Sequence, residues 1–231
     1  MIFSLNRFRR KKKPPKANVL IVDPGHGGRL PGAISKCGRW REKDINLGVA
    51  RYLREWVQER SFKERLNLIT FSTRSMDSYA SLSERTEFAN EAVKDYGPPK
   101  SVFVSIHTNA RPMRGKHGIE FETYYYKGSE EGWSLASHIL NELLKLSLFD
   151  IPIIDRGVKV GERKSKSSGL MKPFYVLKHT SMVSALVELG FLSDKEEAII
   201  LSKPENQERM AKAILDGVVK YLGLGIKEYP I

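Results

Sequence analysis

Hydrophobic and polar positions along the chain switch repeatedly between short apolar runs and helical periodicity. Val19–Asp23 is a continuous apolar run that ends in Pro24-Gly25, which predicts a buried strand followed by a turn. From Asp44 to Arg60, apolar residues recur at the spacing of one helix face. The residues expected on that buried face are Ile45, Val49, Leu53 and Trp56.

The same alternation continues to the end of the chain. Further strands are predicted at Asn67–Phe71, Ser101–Ile106, Gly118–Tyr126, Pro173–Leu177 and Val183–Leu189. Helices are predicted at Ser81–Lys94, where Leu82, Phe88, Ala89 and Ala92 are the expected buried positions, and at Glu131–Leu146. Asp150–Lys172 is rich in Lys, Ser and Gly and has little periodicity, which indicates a long surface loop.

Two more helices are predicted near the carboxyl terminus from their start and stop signals. Ser193 with Glu196, and Ser202 with Glu205, have the spacing of a capping box. Pro204 suits a first helical turn, and Gly223 suits the end of the last helix; these residue types are favoured at those positions.

Alternating strands and helices predict the α/β class: a single domain built on a mostly parallel, twisted sheet of about six strands, with helices on both faces. We expect this domain to span residues 17–225, between a basic arm at 1–16 and a tail at 226–231. No internal repeat is visible.

Composition adds a strong positive charge to this picture. The 231 residues include 39 Lys and Arg against 27 Asp and Glu, a net charge of +12, which favours contact with a polyanion such as nucleic acid, anionic lipid or a wall polymer. The apolar residues of Met1–Lys16 precede its charges, opposite to a secretory signal, so no signal peptide is predicted. The single Cys37 excludes an internal disulfide and a cysteine-based zinc site.

Four separated fragments each place a His or Glu beside a predicted strand end or helix start. They are Val22–Gly28 (VDPGHGG), Glu42–Leu47 (EKDINL), Ser105–Ala110 (SIHTNA) and Val187–Leu192 (VELGFL). In open α/β sheets, ligands bind beyond the carboxyl ends of the strands. We therefore expect His26, Glu42, His107 and Glu188 to converge on one rim of the sheet.

Two imidazoles and one carboxylate suit Zn²⁺, and three protein ligands leave its fourth position for water. We predict that His26, Glu42 and His107 bind one zinc ion per chain. Glu188 is then the expected base, taking the proton of the water and returning it to a leaving amine. No HExxH helix is present, which excludes a thermolysin-like architecture.

These fragments, together with Ser72–Arg74 (STR), Asp155–Lys159 (DRGVK) and VELGFLSD, resemble the zinc-dependent N-acetylmuramoyl-L-alanine amidases of the amidase-3 type. The similarity runs from about Val19 to Tyr221. The resemblance implies zinc on the two histidines and Glu42, catalysis by Glu188, and hydrolysis of the amide between the lactyl group of muramic acid and the first L-alanine of peptidoglycan.

Four residues near these motifs are candidate substrate contacts. Asn109 either holds substrate or orients its loop. Arg85 matches a family position, but structural ion pairing is the commoner reason for such an arginine. Glu120 lies in a strand, GIEFETYYY, that offers a second acid, Glu122. His117 is expected beside the cleft.

The leading expectation is a cell-wall lytic enzyme, either a phage endolysin or a bacterial autolysin, made in the cytoplasm and acting on peptidoglycan. Alternatives are a zinc peptidase acting within the stem peptide, and a non-catalytic binder of anionic wall polymers through the basic surface and arm. A nucleic-acid binder lacks support, because no zinc finger, helix-turn-helix or aromatic–basic RNA motif is present. No transmembrane segment is predicted.

Overall fold

A six-stranded sheet forms the centre of the computed structural model, which describes residues 17–94, 96, 101–111, 117–148, 151–165 and 167–224. The sheet strands are β1 (Asn18–Pro24), β2 (Leu68–Ser72), β3 (Ser101–Asn109), β4 (Ile119–Tyr125), β5 (Ile153–Val160) and β8 (Val183–Phe191). Their spatial order is β2-β1-β3-β8-β4-β5. All neighbours are parallel except β4 and β8, which are antiparallel.

Helices cover both faces of this sheet. They are α1 (Glu42–Lys63), α2 (Leu82–Lys94), α3 (Glu130–Leu143), α4 (Tyr175–His179), α5 (Lys195–Leu201) and α6 (Pro204–Leu222). The larger apolar core joins α1, α3, α5 and α6 to one face, and a smaller core joins α2 and α4 to the other. The predicted α/β class and the mostly parallel six-stranded sheet are confirmed.

The sheet register places the predicted functional residues at one rim. Asp23 at the end of β1 pairs with Ser105 of β3, and His107 of β3 pairs with Glu188 of β8. Because β4 runs antiparallel to β8, its beginning lies at this same rim, with Glu122 opposite Glu188.

The predicted loop over Asp150–Lys172 is wrong for most of its length. It contains the edge strand β5 and a two-stranded hairpin of β6 (Glu162–Lys164) and β7 (Met171–Pro173). An edge strand is half exposed, and β5 is only partly buried or exposed throughout, so its sequence lacks the apolar run of a central strand. The predicted strand at Pro173–Leu177 is also wrong, because α4 begins at Tyr175.

Two details of the predicted helices are wrong as well. In α2, Leu82 and Phe88 are exposed, whereas Arg85 is buried because it forms an ion pair with buried Asp23. The cap of α5 is Asp194, whose side chain accepts hydrogen bonds from the backbone N–H groups of residues 196 and 197, and α6 has no side-chain cap. Pro204 and Gly223 occupy the predicted start and end of α6.

Among the described residues, no helix is long and apolar enough to cross a membrane. The predicted basic arm at 1–16 and the tail at 226–231 lie outside the described residues.

Candidate metal centre and catalytic groove

His26, Glu42 and His107 meet at the rim of the sheet. Each offers one ligand atom, and the three atoms lie within 4.8 Å of one another. Glu42 Oε1 lies 2.9 Å from His107 Nδ1, and Glu42 Oε2 lies 3.2 Å from His26 Nε2. The carboxylate is buried between two partly exposed imidazoles, so the centre opens toward solvent on the histidine side.

The turn after β1 brings His26 to this position through an unusual backbone conformation. His26 has a φ of 60°, in the left-handed region that side-chain-bearing residues rarely adopt. Just before it, Gly25 donates a backbone hydrogen bond to Ile106 and lies so close to His107 that a β-carbon would come 2.2 Å from the imidazole. Strained backbone of this kind concentrates at functional sites.

Glu42 is held at the start of α1 by several donors. Its Oε2 accepts from Ala33 N at 2.8 Å, and its Oε1 accepts from Thr108 N at 3.2 Å and from Asn46 Nδ2 at 3.3 Å. Burial alone would raise the pKa of this carboxyl, but its hydrogen bonds with His107 and His26 hold the pKa well below its usual value. Glu42 is therefore an ionised, oriented carboxylate.

Buried arginines fix the backbone around His26. Arg85 donates to the carbonyl of His26 at 2.6 Å, to that of Pro24 at 2.8 Å and to Asp23 Oδ1 at 2.7 Å. Arg74 donates to the carbonyls of Pro24 and Gly25, each at 2.9 Å. The guanidinium of Arg85 thus supports the turn that carries His26, and its role as a substrate contact stays a prediction.

Asp23 is the acidic partner within this buried support. Its oxygens accept hydrogen bonds from Thr73 Oγ1 at 2.6 Å and from Ser105 Oγ at 2.7 Å, in addition to the Arg85 contact. Burial would raise the pKa of the Asp23 carboxyl, but the Arg85 charge and these hydrogen bonds lower it.

A second ion pair tethers the same turn to α1. Lys43 Nζ contacts Asp77 Oδ2 at 2.5 Å and donates to the carbonyl of Gly28 at 3.0 Å, while Gly28 N donates to Asp77 Oδ1 at 2.7 Å. Sequence reasoning missed this ion pair: Lys43 lies within the EKDINL fragment, but Asp77 is 34 residues away and belongs to none of the motif fragments.

Glu188 lies on β8 beside the metal centre, in a different electrostatic setting from Glu42. The residue is partly buried, its Oε2 atom is shielded from solvent, and among the described residues this atom has no hydrogen-bond partner. Burial raises its pKa well above the usual value, and the nearby charges of Glu42 and Glu122 raise it further. A buried polar atom without a partner requires an explanation, and a catalytic role supplies one.

The strand next to Glu188 carries a network of paired charges. Glu122 accepts from Asn109 Nδ2 and Arg156 Nε, each at 2.7 Å, and also contacts Lys159. Glu120 pairs with Arg156 at 2.9 Å. The predicted contacts Asn109 and Glu120 therefore have partners within the protein, which supports the alternative in which Asn109 orients its loop.

A groove of about 420 Å³ runs past the metal centre. It is lined by both histidines and Glu188, by Tyr79 to Leu82, by Phe174 to Val176, and by Asp23, Gly25, Leu30, Arg85, Arg163 and Leu186. His117 does not line it among the described residues; this exposed side chain contacts Glu196 at 2.7 Å.

Comparison with known proteins decides the family. Residues 20–220 match the sequence family Amidase_3, described as N-acetylmuramoyl-L-alanine amidase. The chain belongs to the amidase-3 family. The family resemblance found in the sequence is thus confirmed.

Relatives of this amidase-3 chain include bacterial and phage proteins. It is 29% identical to the germination-specific N-acetylmuramoyl-L-alanine amidase of Bacillus subtilis (strain 168), covering 90% of this chain and 81% of the relative. The endolysin of Bacillus phage SPP1 is also 29% identical, over 90% of this chain and 67% of the relative. The crystal structure of an N-acetylmuramoyl-L-alanine amidase from Clostridium difficile 630 superposes with a TM-score of 0.73 at 29% identity, covering 90% and 98% of the two chains.

The donor set of this amidase-3 domain fits a zinc ion. Two imidazole nitrogens and one carboxylate oxygen are a ligand set used by catalytic zinc sites. Ligand atoms around a tetrahedral zinc lie about 3.4 Å apart, given zinc–ligand bonds of about 2.1 Å. One ligand atom from each of the three residues lies within 4.8 Å of the others, so modest side-chain movements would bring the set to that spacing.

Proposed function

We propose that this chain hydrolyses the amide bond between the lactyl group of N-acetylmuramic acid and L-alanine in peptidoglycan, with one zinc ion held by His26, Glu42 and His107. The observation that carries the proposal is the position of Glu188. Glu188, whose buried Oε2 has no hydrogen-bond partner among the described residues, lines the same groove as the ligands His26 and His107. This arrangement provides a metal site and a separate proton acceptor, the two requirements of metal-assisted amide hydrolysis.

In this proposal the three metal ligands and Glu188 have separate roles. A zinc ion held by His26, Glu42 and His107 would polarise the scissile carbonyl and lower the pKa of the attacking water. Glu188 accepts a proton from that water at Oε2 and transfers it to the leaving nitrogen as the carbon–nitrogen bond breaks. The water oxygen remains on the lactyl carbonyl carbon, and the products are a lactyl carboxylate and a peptide with a free alanine amino group. The raised pKa of Glu188 suits a group that must both take up and release a proton.

Glu42 and Glu188 suit opposite roles because their surroundings differ. Glu42 receives several hydrogen bonds that favour its ionised form, as a metal ligand requires. Glu188 receives none at Oε2 among the described residues and faces other carboxylates, which raises its affinity for a proton, as a proton acceptor requires.

Product analysis with and without metal tests this proposal. Purified protein is expected to contain about one zinc per chain, to lose activity on defined peptidoglycan after chelation, and to regain it with added zinc. Mass spectrometry should detect free alanine amino termini and intact glycan. Products cut only between stem residues would identify a peptidase instead, and wall clearing that survives chelation would favour the non-catalytic binder.

We also propose that the basic surface, including the arm at 1–16, attracts the chain to anionic wall polymers. The net charge of +12 and the run of basic residues in that arm support this role. Deleting residues 1–16 should reduce co-sedimentation with walls that carry teichoic acid, and the loss should diminish as salt increases. Unchanged wall binding would contradict the role of the arm.

A further inference from the structure

The β6–β7 hairpin contributes a cation to the groove that lies beside the metal centre. Arg163 on β6 lines the groove together with both histidines and Glu188. At the base of the hairpin, Gly161 N donates to Tyr125 O of the sheet at 2.8 Å, and Phe174 N closes the hairpin by donating to Gly161 O at 2.7 Å. Arg163 is therefore carried on a secondary structure element with a defined attachment to the sheet.

Arg163 differs from Arg74 and Arg85, which also lie close to this centre. Arg74 and Arg85 are buried. Their N–H groups donate hydrogen bonds to backbone carbonyls and, in the case of Arg85, also to Asp23. Arg163 is exposed, and within the described ranges no carboxylate forms an ion pair with it. Its guanidinium is thus available to an anionic ligand, and arginine recognises carboxylates through two parallel hydrogen bonds.

The chemistry of the substrate determines which anion can meet this arginine. In the proposed substrate, the lactyl carboxyl of muramic acid is already consumed in the scissile amide, and the sugars of the glycan backbone are neutral. Free carboxylates belong to the peptide. A cation in the groove is therefore complementary to the peptide part of the substrate and not to the glycan.

We propose that Arg163 is a specificity-determining residue that binds a free carboxylate of the substrate peptide, on the residue after the first alanine. The peptide then occupies the part of the groove lined by Phe174, Tyr175 and Arg163, and the glycan leaves the metal centre on its open side. This assignment rests on the proposed amidase function, because it needs the scissile bond at the metal centre.

Two synthetic muramyl peptides test the assignment. One carries a free carboxylate on the second peptide residue, and in the other this carboxylate is a primary amide. Wild-type protein should cleave the acid with a kcat/KM about tenfold above that of the amide. Arg163→Gln should abolish this preference by slowing the acid alone, and Arg163→Lys should retain part of it.

A matched control comes from the same strand. Lys164 is the next residue, and because side chains alternate along a strand it points to the opposite face and does not line the groove. Lys164→Gln removes the same charge from the same hairpin and should preserve the preference. The wild-type preference should also decrease at high salt.

The possible failures are distinguishable. If wild-type protein cleaves neither peptide at the lactyl amide, the proposed function is wrong. If it cleaves both at equal rates, or if Lys164→Gln changes the preference as much as Arg163→Gln does, the amidase remains and the carboxylate subsite is overturned.

Discussion

The backbone of Gly25 lies directly against the imidazole of His107: a β-carbon at residue 25 would come 2.2 Å from His107 Cε1. The turn that follows β1 and the end of β3 are joined at this contact by the hydrogen bond from Gly25 N to Ile106 O. Gly25 precedes His26 in the sequence and lies against the His107 ring, so a side chain at residue 25 would disturb both of these proposed zinc ligands.

Gly25→Ala should displace the His107 ring and lower zinc affinity on the order of 10- to 100-fold. Competition with a zinc chelator measures this. Gly48→Ala is the matched control, because its β-carbon would also come within 2.2 Å of another atom, but that atom is the end of the flexible Gln207 side chain. Equal zinc affinity in both variants would contradict the proposed role of the contact.

Glu188→Gln should lower kcat by about 10²- to 10⁴-fold, because an amide cannot accept the proton of the attacking water. The variant should still bind about one zinc per chain, since Glu188 is not among the proposed ligands. Metal analysis and turnover assays on defined peptidoglycan, performed on the same sample, test the expected zinc content and the expected loss of kcat. Glu205→Gln on α6 removes an exposed acid and should leave both unchanged. A Glu188→Gln variant that stays active would contradict the assignment of Glu188 as the base.

Arg85→Gln should lower the free energy of unfolding by about 3 kcal/mol, because it leaves the buried Asp23 carboxylate without its cation. Urea unfolding measures the change. Asp23→Asn combined with Arg85→Gln should recover part of the loss, as in a double-mutant cycle. Arg209→Gln, which removes an exposed arginine, should have little effect. If Arg85→Gln raises KM without loss of stability, Arg85 is a substrate contact after all.

Glu197 should make stability depend on pH. Burial raises its pKa to about 7, despite hydrogen bonds from the backbone of Phe191 and Glu120 and the charge of Arg111. The pKa of Glu197 in the folded state is above its pKa in the unfolded chain. The contribution of protonated Glu197 to stability is therefore fully present below about pH 4.5 and is lost as the pH rises through about 7.

The neutral variant Glu197→Gln does not titrate and therefore isolates this effect. Between pH 5 and pH 8, the unfolding free energy of the variant should gain about 2 kcal/mol relative to wild type. Urea unfolding at the two pH values gives the difference. A difference that does not vary with pH would show that the Arg111 ion pair keeps Glu197 ionised throughout.

The sequence by itself determined the central strands, the long helices and the rim at which chemistry would occur. Val19–Asp23 is buried along its length and most of Val183–Leu189 is buried as well, so the apolar runs of these strands indicate their structure directly. His26, His107 and Glu188 each lie near the carboxyl end of such a strand, and parallel strands bring those ends together. The convergence of these residues was therefore predictable from local patterns.

Only the tertiary structure decided features that depend on partners distant in sequence. The edge strand β5 is stabilised by pairing with β4, and its half-exposed residues carry no apolar run. The buried face of α2 is set by Arg85, whose partner Asp23 lies 62 residues away. Asn109 and Glu120 contact Glu122 and Arg156 through pairings that no spacing predicts. Hydrophobic periodicity is local information, whereas the pairing of buried charges is settled only when the chain has folded.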